Sequence, residues 1–309
     1  MVATTGAVSP WRRMRKAWRS RGAQEARTAY TLLLVPMGLL GVFHAFPFVL
    51  SVLVSLIYWN PNKWYFVGLD NYVHVLKDSV FWLAMRNAAV YSLLAMPVGL
   101  IFSLLVASLI ARMASDALRS LFRGGFYLPG VVSGVVMSAV WLWILSPSSG
   151  AINGVLSLFG IDSINWLGNY KTALFALVLM YWLTSHGGAI VILSAAITNI
   201  PKDYYESSRL DGARWRDELL HITIPLIRPA LLYEIVSGTI GTFQVFTPVY
   251  IMTRGGPANS TMTISFLIYQ TGFDQFDFGR ATAQTILMAA VVLALAIIQL
   301  KFLSVDVEY

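Results

Sequence analysis

Apolar residues recur along the chain in runs near twenty residues, divided by short polar stretches that hold almost all of the charge. About twenty helical residues are what it takes to cross a hydrocarbon core of about 30 Å. Six segments meet that length: Tyr30 to Ile57, Arg86 to Ile110, Phe122 to Leu145, Thr172 to Ile197, Pro229 to Met252 and Ala283 to Leu303. The pattern predicts an all-α, polytopic membrane protein with six transmembrane helices. Proline inside such spans is tolerated because neighbouring helices or ordered water can satisfy the freed carbonyls. Pro36, Pro47, Pro97 and Pro129 therefore mark expected kinks.

Composition sharpens this picture. With 57% hydrophobic and 12% charged residues, the chain lies well above the roughly 45–50% apolar content of soluble domains, which excludes a large soluble α/β core. There is no cysteine, so disulfides, thiolate metal sites and cysteine catalysis are excluded. The net charge of +7 does not point to nucleic acid, because the basic residues flank apolar segments rather than line a polar face. Residues 1–27 form a basic tail with Arg12, Arg13, Arg15, Lys16, Arg19, Arg21 and Arg27 around Trp11 and Trp18. It reads as an interfacial helix on an anionic leaflet or as a solvated tail. Residues 28–309 form the transmembrane domain.

Orientation follows from lysine and arginine, which are in excess in cytoplasmic loops. With the N-terminus inside, the tail, the Arg112 to Arg123 loop, the Pro201 to Arg228 loop and Lys301 hold about sixteen of the 22 basic residues, placing both termini in the cytoplasm. Tyr58, Trp59, Trp64, Tyr65, Trp82 and Trp166 then sit at external helix ends, where amphipathic rings favour the interface.

The spans carry almost no charge. Glu234 is the main exception, and about two turns from the cytoplasmic end of its helix it is expected to reach a basic partner or the interface. An ion-coupled transporter would be expected to show intramembrane carboxylates and paired repeats, whereas this chain has one shallow glutamate and no detectable repeat. An intramembrane enzyme would need clustered catalytic groups or metal ligands, yet His44, His74, His186 and His221 are scattered, and neither H-E-x-x-H nor G-x-S-x-G occurs. No catalytic or metal residue is assigned. A Walker-type phosphate loop, G-x-x-x-x-G-K-[ST], is likewise absent from the sequence.

The polar stretch 201–225, PKDYYESSRLDGARWRDELLHITIP, breaks the apolar pattern most sharply. Pro201 suits a first helical turn, Lys202 to Leu210 reads as a short helix, and Gly212 permits the reversal that ends it. A second short helix is expected from Arg214 to His221, stopped by Pro225. Apolar anchors beside charges on these helices suit a partner surface or an amphipathic loop lying on its own helix ends.

The spacing Glu206-Ser207-Ser208, Asp211-Gly212-Ala213 and Ile222-Thr223-Ile224-Pro225 resembles the EAA loop of ABC importer permeases. Further segments in chain order resemble the sugar-permease branch of that family, of the MalF and UgpA type: Phe66 to Tyr72, Pro147 to Leu156, Thr253 to Pro257 and Ser260-Thr261. The departures are Ser207 and Ser208 where alanine is usual and Ile224 where leucine is usual. The resemblance implies the ABC importer permease fold and a bacterial cytoplasmic-membrane location. It also implies a coupling helix in which Glu206, Ser207, Ser208, Asp211, Gly212, Ile222 and Pro225 meet an ATPase. Implied partners are the lipid bilayer, a second homologous permease, two ATPase subunits holding ATP and Mg, and an extracytoplasmic solute-binding protein. No cofactor is expected on this chain itself.

A sugar pathway calls for hydroxyl-matching groups and aromatic faces near mid-membrane. In the fifth span Ser237, Thr242, Phe243, Gln244 and Phe246 are candidates, and in the fourth Trp182 and His186, with Tyr181, Thr184 and Ser185 nearby. Small and polar residues there also serve helix packing. The spans hold no buried arginine or lysine for a phosphate-bearing cargo, so a neutral or weakly charged carbohydrate, such as an oligosaccharide, is the expected cargo, with an acidic oligosaccharide left open where the partner permease supplies the positive groups.

Overall fold

The computed structural model describes residues 21–184 and 186–303. The chain falls into two compact units, residues 1–54 and 55–309. The first holds α1 (Arg21–Leu40), a π turn at Gly41–Ala45 and all but the last residue of α2 (Phe46–Ser55). These join into one apolar helix, Glu25–Ser55, long enough to cross a membrane. The predicted tail thus ends inside a helix, and its residues 1–20 lie outside the described residues.

The second unit opens with a hairpin, β1 (Ile57–Asn60) and β2 (Lys63–Phe66), paired antiparallel with Ile57 opposite Phe66. After α3 (Asp70–Lys77) comes α4 (Ser79–Ala111), which begins before the predicted Arg86 and runs unbroken past Pro97. Asp78 caps it by accepting from the Val80 amide. Phe278–Leu303, here α15, is the other long apolar helix of this unit.

The remaining predicted spans are broken. Phe122 to Leu145 resolves into α5 (Asp116–Val131) and α6 (Gly134–Ile144), bent by 88°. Pro129 and Gly130 weaken the end of α5, and Ser133 starts α6 by accepting from the Val135 amide. After the surface helix α7 (Ala151–Leu158), Thr172 to Ile197 becomes α8 (Ala173–Thr184) and α9 (Gly187–Thr198), bent by 44°.

Beyond α10 (Lys202–Leu210) and α11 (Trp215–Glu218), a π turn at Leu219–Thr223 leads into α12 (Ile224–Leu226). Pro225 was expected to stop this helix, and instead the helix passes through it. In an α-helix the proline ring would strike the carbonyl four residues back, whereas the wider π turn, closed by the Ile224 amide on the Leu219 carbonyl, alters that approach. Gly41–Ala45 stands in the same relation to Pro47. Residues 215–226 then bend by 77° at Ile227 into α13 (Arg228–Phe243). The predicted fifth span, Pro229 to Met252, is interrupted at Gln244–Phe246 and resumes towards a π turn at Val249–Thr253. A short helix, α14 (Ile264–Tyr269), and a π turn at Gln270–Asp274 precede α15.

The core of this unit is built on α4. Phe81, Ala84, Ala88, Tyr91 and Ala95 pack against Leu177 of α8, Phe243 of α13 and Ile264 of α14. A smaller cluster, Ala107, Leu193, Ile197, Ile200 and Ile227, packs beneath α10. Small side chains on α4 permit this close helix approach.

Candidate functional site

Two places collect the candidate residues. The first is the polar loop. Its helix α10 ends in a Schellman motif, with the Ala213 amide donating to Ser208 O at 3.0 Å and the Gly212 amide to Arg209 O at 3.0 Å. Gly212 takes φ +85°, the left-handed conformation that this closure requires. The Arg214 amide donates to Asp217 Oδ2 at 2.9 Å and so begins α11.

The motif residues divide between a surface and its support. Glu206, Ser207, Asp211 and Gly212 are exposed, together with Tyr204 and with Leu210 at 89% exposure. Ser208, Ile222 and Pro225 are half-buried beneath them. The Ser207 and Ser208 hydroxyls bond back to the carbonyls of Tyr204 and Tyr205. Where alanine is usual, these serines therefore satisfy their polar groups within their own helix.

An unforeseen residue anchors the loop. Glu218 is only 2% exposed, accepts from Arg209 Nε at 2.7 Å and pairs with Arg112 at the end of α4. Burial, then the neighbouring Arg209 charge, push the Arg112 pKa down from its ordinary value. Glu218 thus holds two mutually repelling cations and ties α10 to α4. Tyr205 and Thr223 add a hydroxyl pair at 3.0 Å. A cavity of about 220 Å³ lies behind the loop, lined by Arg112, Arg209, Glu218, Tyr205 and Trp215. Glu234, expected to find a basic partner, forms no ion pair among the described residues. Arg112 and Arg209 are committed to Glu218, and Arg123 bonds Ser194 O and Thr198 Oγ1.

The second place is the interruption of the fifth span. A cavity of about 280 Å³ opens there, lined by Tyr91, Tyr181, Thr242, Gln244, Phe246 and Thr247 among others. The break is held by Ser92 Oγ against Thr242 Oγ1 at 2.7 Å and by Thr263 Oγ1 donating to Val245 O at 3.0 Å. Of the predicted pathway residues, Tyr181, Thr242, Gln244 and Phe246 line this cavity, whereas Trp182, His186, Ser237 and Phe243 do not. Phe243 is buried in the core, and the Ser237 hydroxyl donates to Tyr233 O. Trp182 and His186 border a separate apolar recess with Phe102 and Phe126. There His186 Nε2 meets Trp182 O at 2.7 Å and the Trp182 indole donates to Leu94 O at 3.1 Å, so both side chains are tied to helix backbone away from the fifth-span cavity. Ser185 lies outside the described residues. Tyr91 was missed, since one tyrosine in an apolar span carries no signal of its own.

The other recurring segments are structural pins. Asn71 donates to the carbonyls of Ser55 and Ile57, both at 2.9 Å. Asn153 donates to Ile164 O at 2.9 Å and accepts from Trp166 Nε1 at 3.1 Å. Thr261 Oγ1 lies 2.8 Å from both Thr253 Oγ1 and Gly256 O, within hydrogen-bond reach of each.

Residues 99–305 match the family of binding-protein-dependent transport system inner membrane components. The chain belongs to this family. It is a multi-pass membrane protein and an ABC transporter permease subunit. The trehalose/maltose transport permease MalF of Thermococcus litoralis is 30% identical over 90% of this chain and 94% of its own. The lactose transport permease LacF of Rhizobium radiobacter is 30% identical over 84% and 88%. A solved bacterial ABC transporter that imports the acidic polysaccharide alginate shares the fold, with a TM-score of 0.79, 24% identity, and 94% of this chain and 98% of that chain covered.

Proposed function

We propose that this permease forms one half of the path by which an ATP-driven, binding-protein-dependent importer moves a carbohydrate, of oligosaccharide size, into the cell. The observation that carries the coupling part is the α10 tip. Tyr204, Leu210, Glu206 and Asp211 are presented outward, while Glu218 fastens the same helix to α4, which reaches the cavity through Tyr91. Exposed apolar side chains ringed by charge suit a protein partner. Motion imposed on α10 by an ATPase would pass through a packed helix to the cavity wall.

In this reading the chain performs no chemistry of its own. ATP and Mg sit on two ATPase subunits, a second permease completes the path, and a solute-binding protein delivers cargo to the opposite face. The loop side and both termini are cytoplasmic by the distribution of basic residues. Carbohydrate is supported by the sugar named for MalF and LacF and by the cavity's mix of rings, hydroxyls and an amide.

The test is ATP hydrolysis by the assembled complex in lipid, with binding protein loaded with different carbohydrates. Stimulation by a loaded binding protein, lost in Glu206→Ala, is expected. A complex that hydrolyses ATP with no response to any loaded binding protein overturns the proposal.

A further inference from the structure

A series of aromatic rings runs outward from the cavity at the fifth-span break. Phe246, which lines that cavity, stacks on Tyr250 with centroids 5.4 Å apart and an interplanar angle of 18°. It also meets Tyr269 at 5.4 Å. Tyr269 stacks on Phe273 at 5.2 Å and 26°, and Phe266, almost fully buried, backs the group from the core. Exposure rises along the series, from half-buried Phe246, Tyr250 and Tyr269 to Phe273 at 62%.

We propose that Phe246, Tyr250, Tyr269 and Phe273 form a stacking track for the faces of sugar rings, leading from the Gln270–Asp274 turn to the cavity. The inference rests on carbohydrate being the cargo. Three observations favour it over simple packing. A core aromatic would be buried, whereas Phe273, stacked on Tyr269 and meeting Phe278 only by an edge at 6.1 Å, leaves most of its surface uncovered. The ring is not lipid-facing at membrane depth, because Asp274 and Gln275 beside it are also exposed and a carboxylate there needs water. Asp274 and Gln275 also bring hydroxyl-binding groups to the same turn as the ring, the pairing of apolar surface and sparse polar groups that small-molecule sites use. Successive faces let a sugar exchange one contact for the next of similar strength, as bases do along stacking platforms.

The test uses the complete importer in lipid vesicles, with saturating carbohydrate-loaded binding protein, and reads the initial rate of carbohydrate uptake. Assembly is checked by co-purification of the subunits. Phe273→Ala is expected to lower uptake about tenfold, the equivalent of one lost stacking contact. Phe273→Leu, which keeps apolar bulk without a ring, is expected to be as slow, and Phe273→Tyr to restore at least half of the rate. Should Phe273→Ala fail to assemble, the contrast of Leu with Tyr carries the test. Recovery by leucine would make the residue a packing contact and overturn the track, as would wild-type uptake in both Ala and Leu variants. If the unmodified importer takes up no carbohydrate at all, the proposed cargo is wrong and the track falls with it, a result distinct from any difference among the variants.

Discussion

Replacing Glu218 by glutamine removes one charge and almost no volume, so it isolates the ionic link between α10 and α4. Breaking a fully buried ion pair by removing one partner costs about 3–5 kcal/mol. Here the carboxylate is 2% exposed, but its partners Arg112 and Arg209 are 38% and 57% exposed and can turn to water. Solvent screening of the two guanidiniums brings the expected cost down to about 2 kcal/mol. If the loop opens locally by releasing this link, that energy makes the open form about 30 times more populated. Hydrogen exchange of the amides of residues 203–210, measured by mass spectrometry on the protein in lipid, should then quicken by about that factor. Exchange in α8 should not change, since it shares no partner with Glu218. Unchanged exchange at 203–210 in Glu218→Gln would refute the argument that the carboxylate fastens α10 to the bundle.

Three further substitutions probe the pins. Gly212→Ala forces a side chain into the left-handed conformation at φ +85° and is expected to cost about 1–2 kcal/mol, seen as a lower thermal midpoint, with Gly212→Asn milder. A Cβ at Gly279 would sit 2.0 Å from the Ile57 carbonyl oxygen, so Gly279→Ala should abolish a monodisperse peak on gel filtration, while Gly154→Ala, with nothing within 4 Å, should be neutral. Asn153→Ala strips the 146–166 loop of its central amide, at about 2–3 kcal/mol, and should expose that loop to limited proteolysis.

The long apolar spans were legible because hydropathy is a local property; α15 differs from expectation only at its start, and α4 at its start and in running unbroken through Pro97, where a kink was expected. The break between α5 and α6 was marked by Pro129, but the one in the fifth span was not legible. Gln244 to Phe246 carry no glycine or proline themselves, Gly241 and Pro248 only flank them, and the interruption is held by Ser92 and Thr263, which are distant in sequence. For the same reason the two pathway candidates Phe243 and Phe246 part company: the helix ends at Phe243, so one ring enters the core and the other the cavity. In the polar loop the Gly212 reversal could be read from its residue type alone. Glu218 could not, because its meaning lies in Arg112, on another helix. Pro225 misled for a physical reason, since a π turn leaves no mark in a hydrophobic pattern.

The central claim, that the α10 tip docks on an ATPase at the cytoplasmic face, has a direct test in Leu210→Cys. The chain has no native cysteine, and Leu210 is 89% exposed, so a thiol there is a single accessible label. Maleimide labelling of this thiol is compared in membranes with and without the ATPase subunits, and on intact cells with a membrane-impermeant reagent. The account predicts rapid labelling in membranes without the ATPase, strong protection when it is present, and no labelling from outside intact cells. Equal labelling with and without the ATPase, or labelling from the outside, would contradict it.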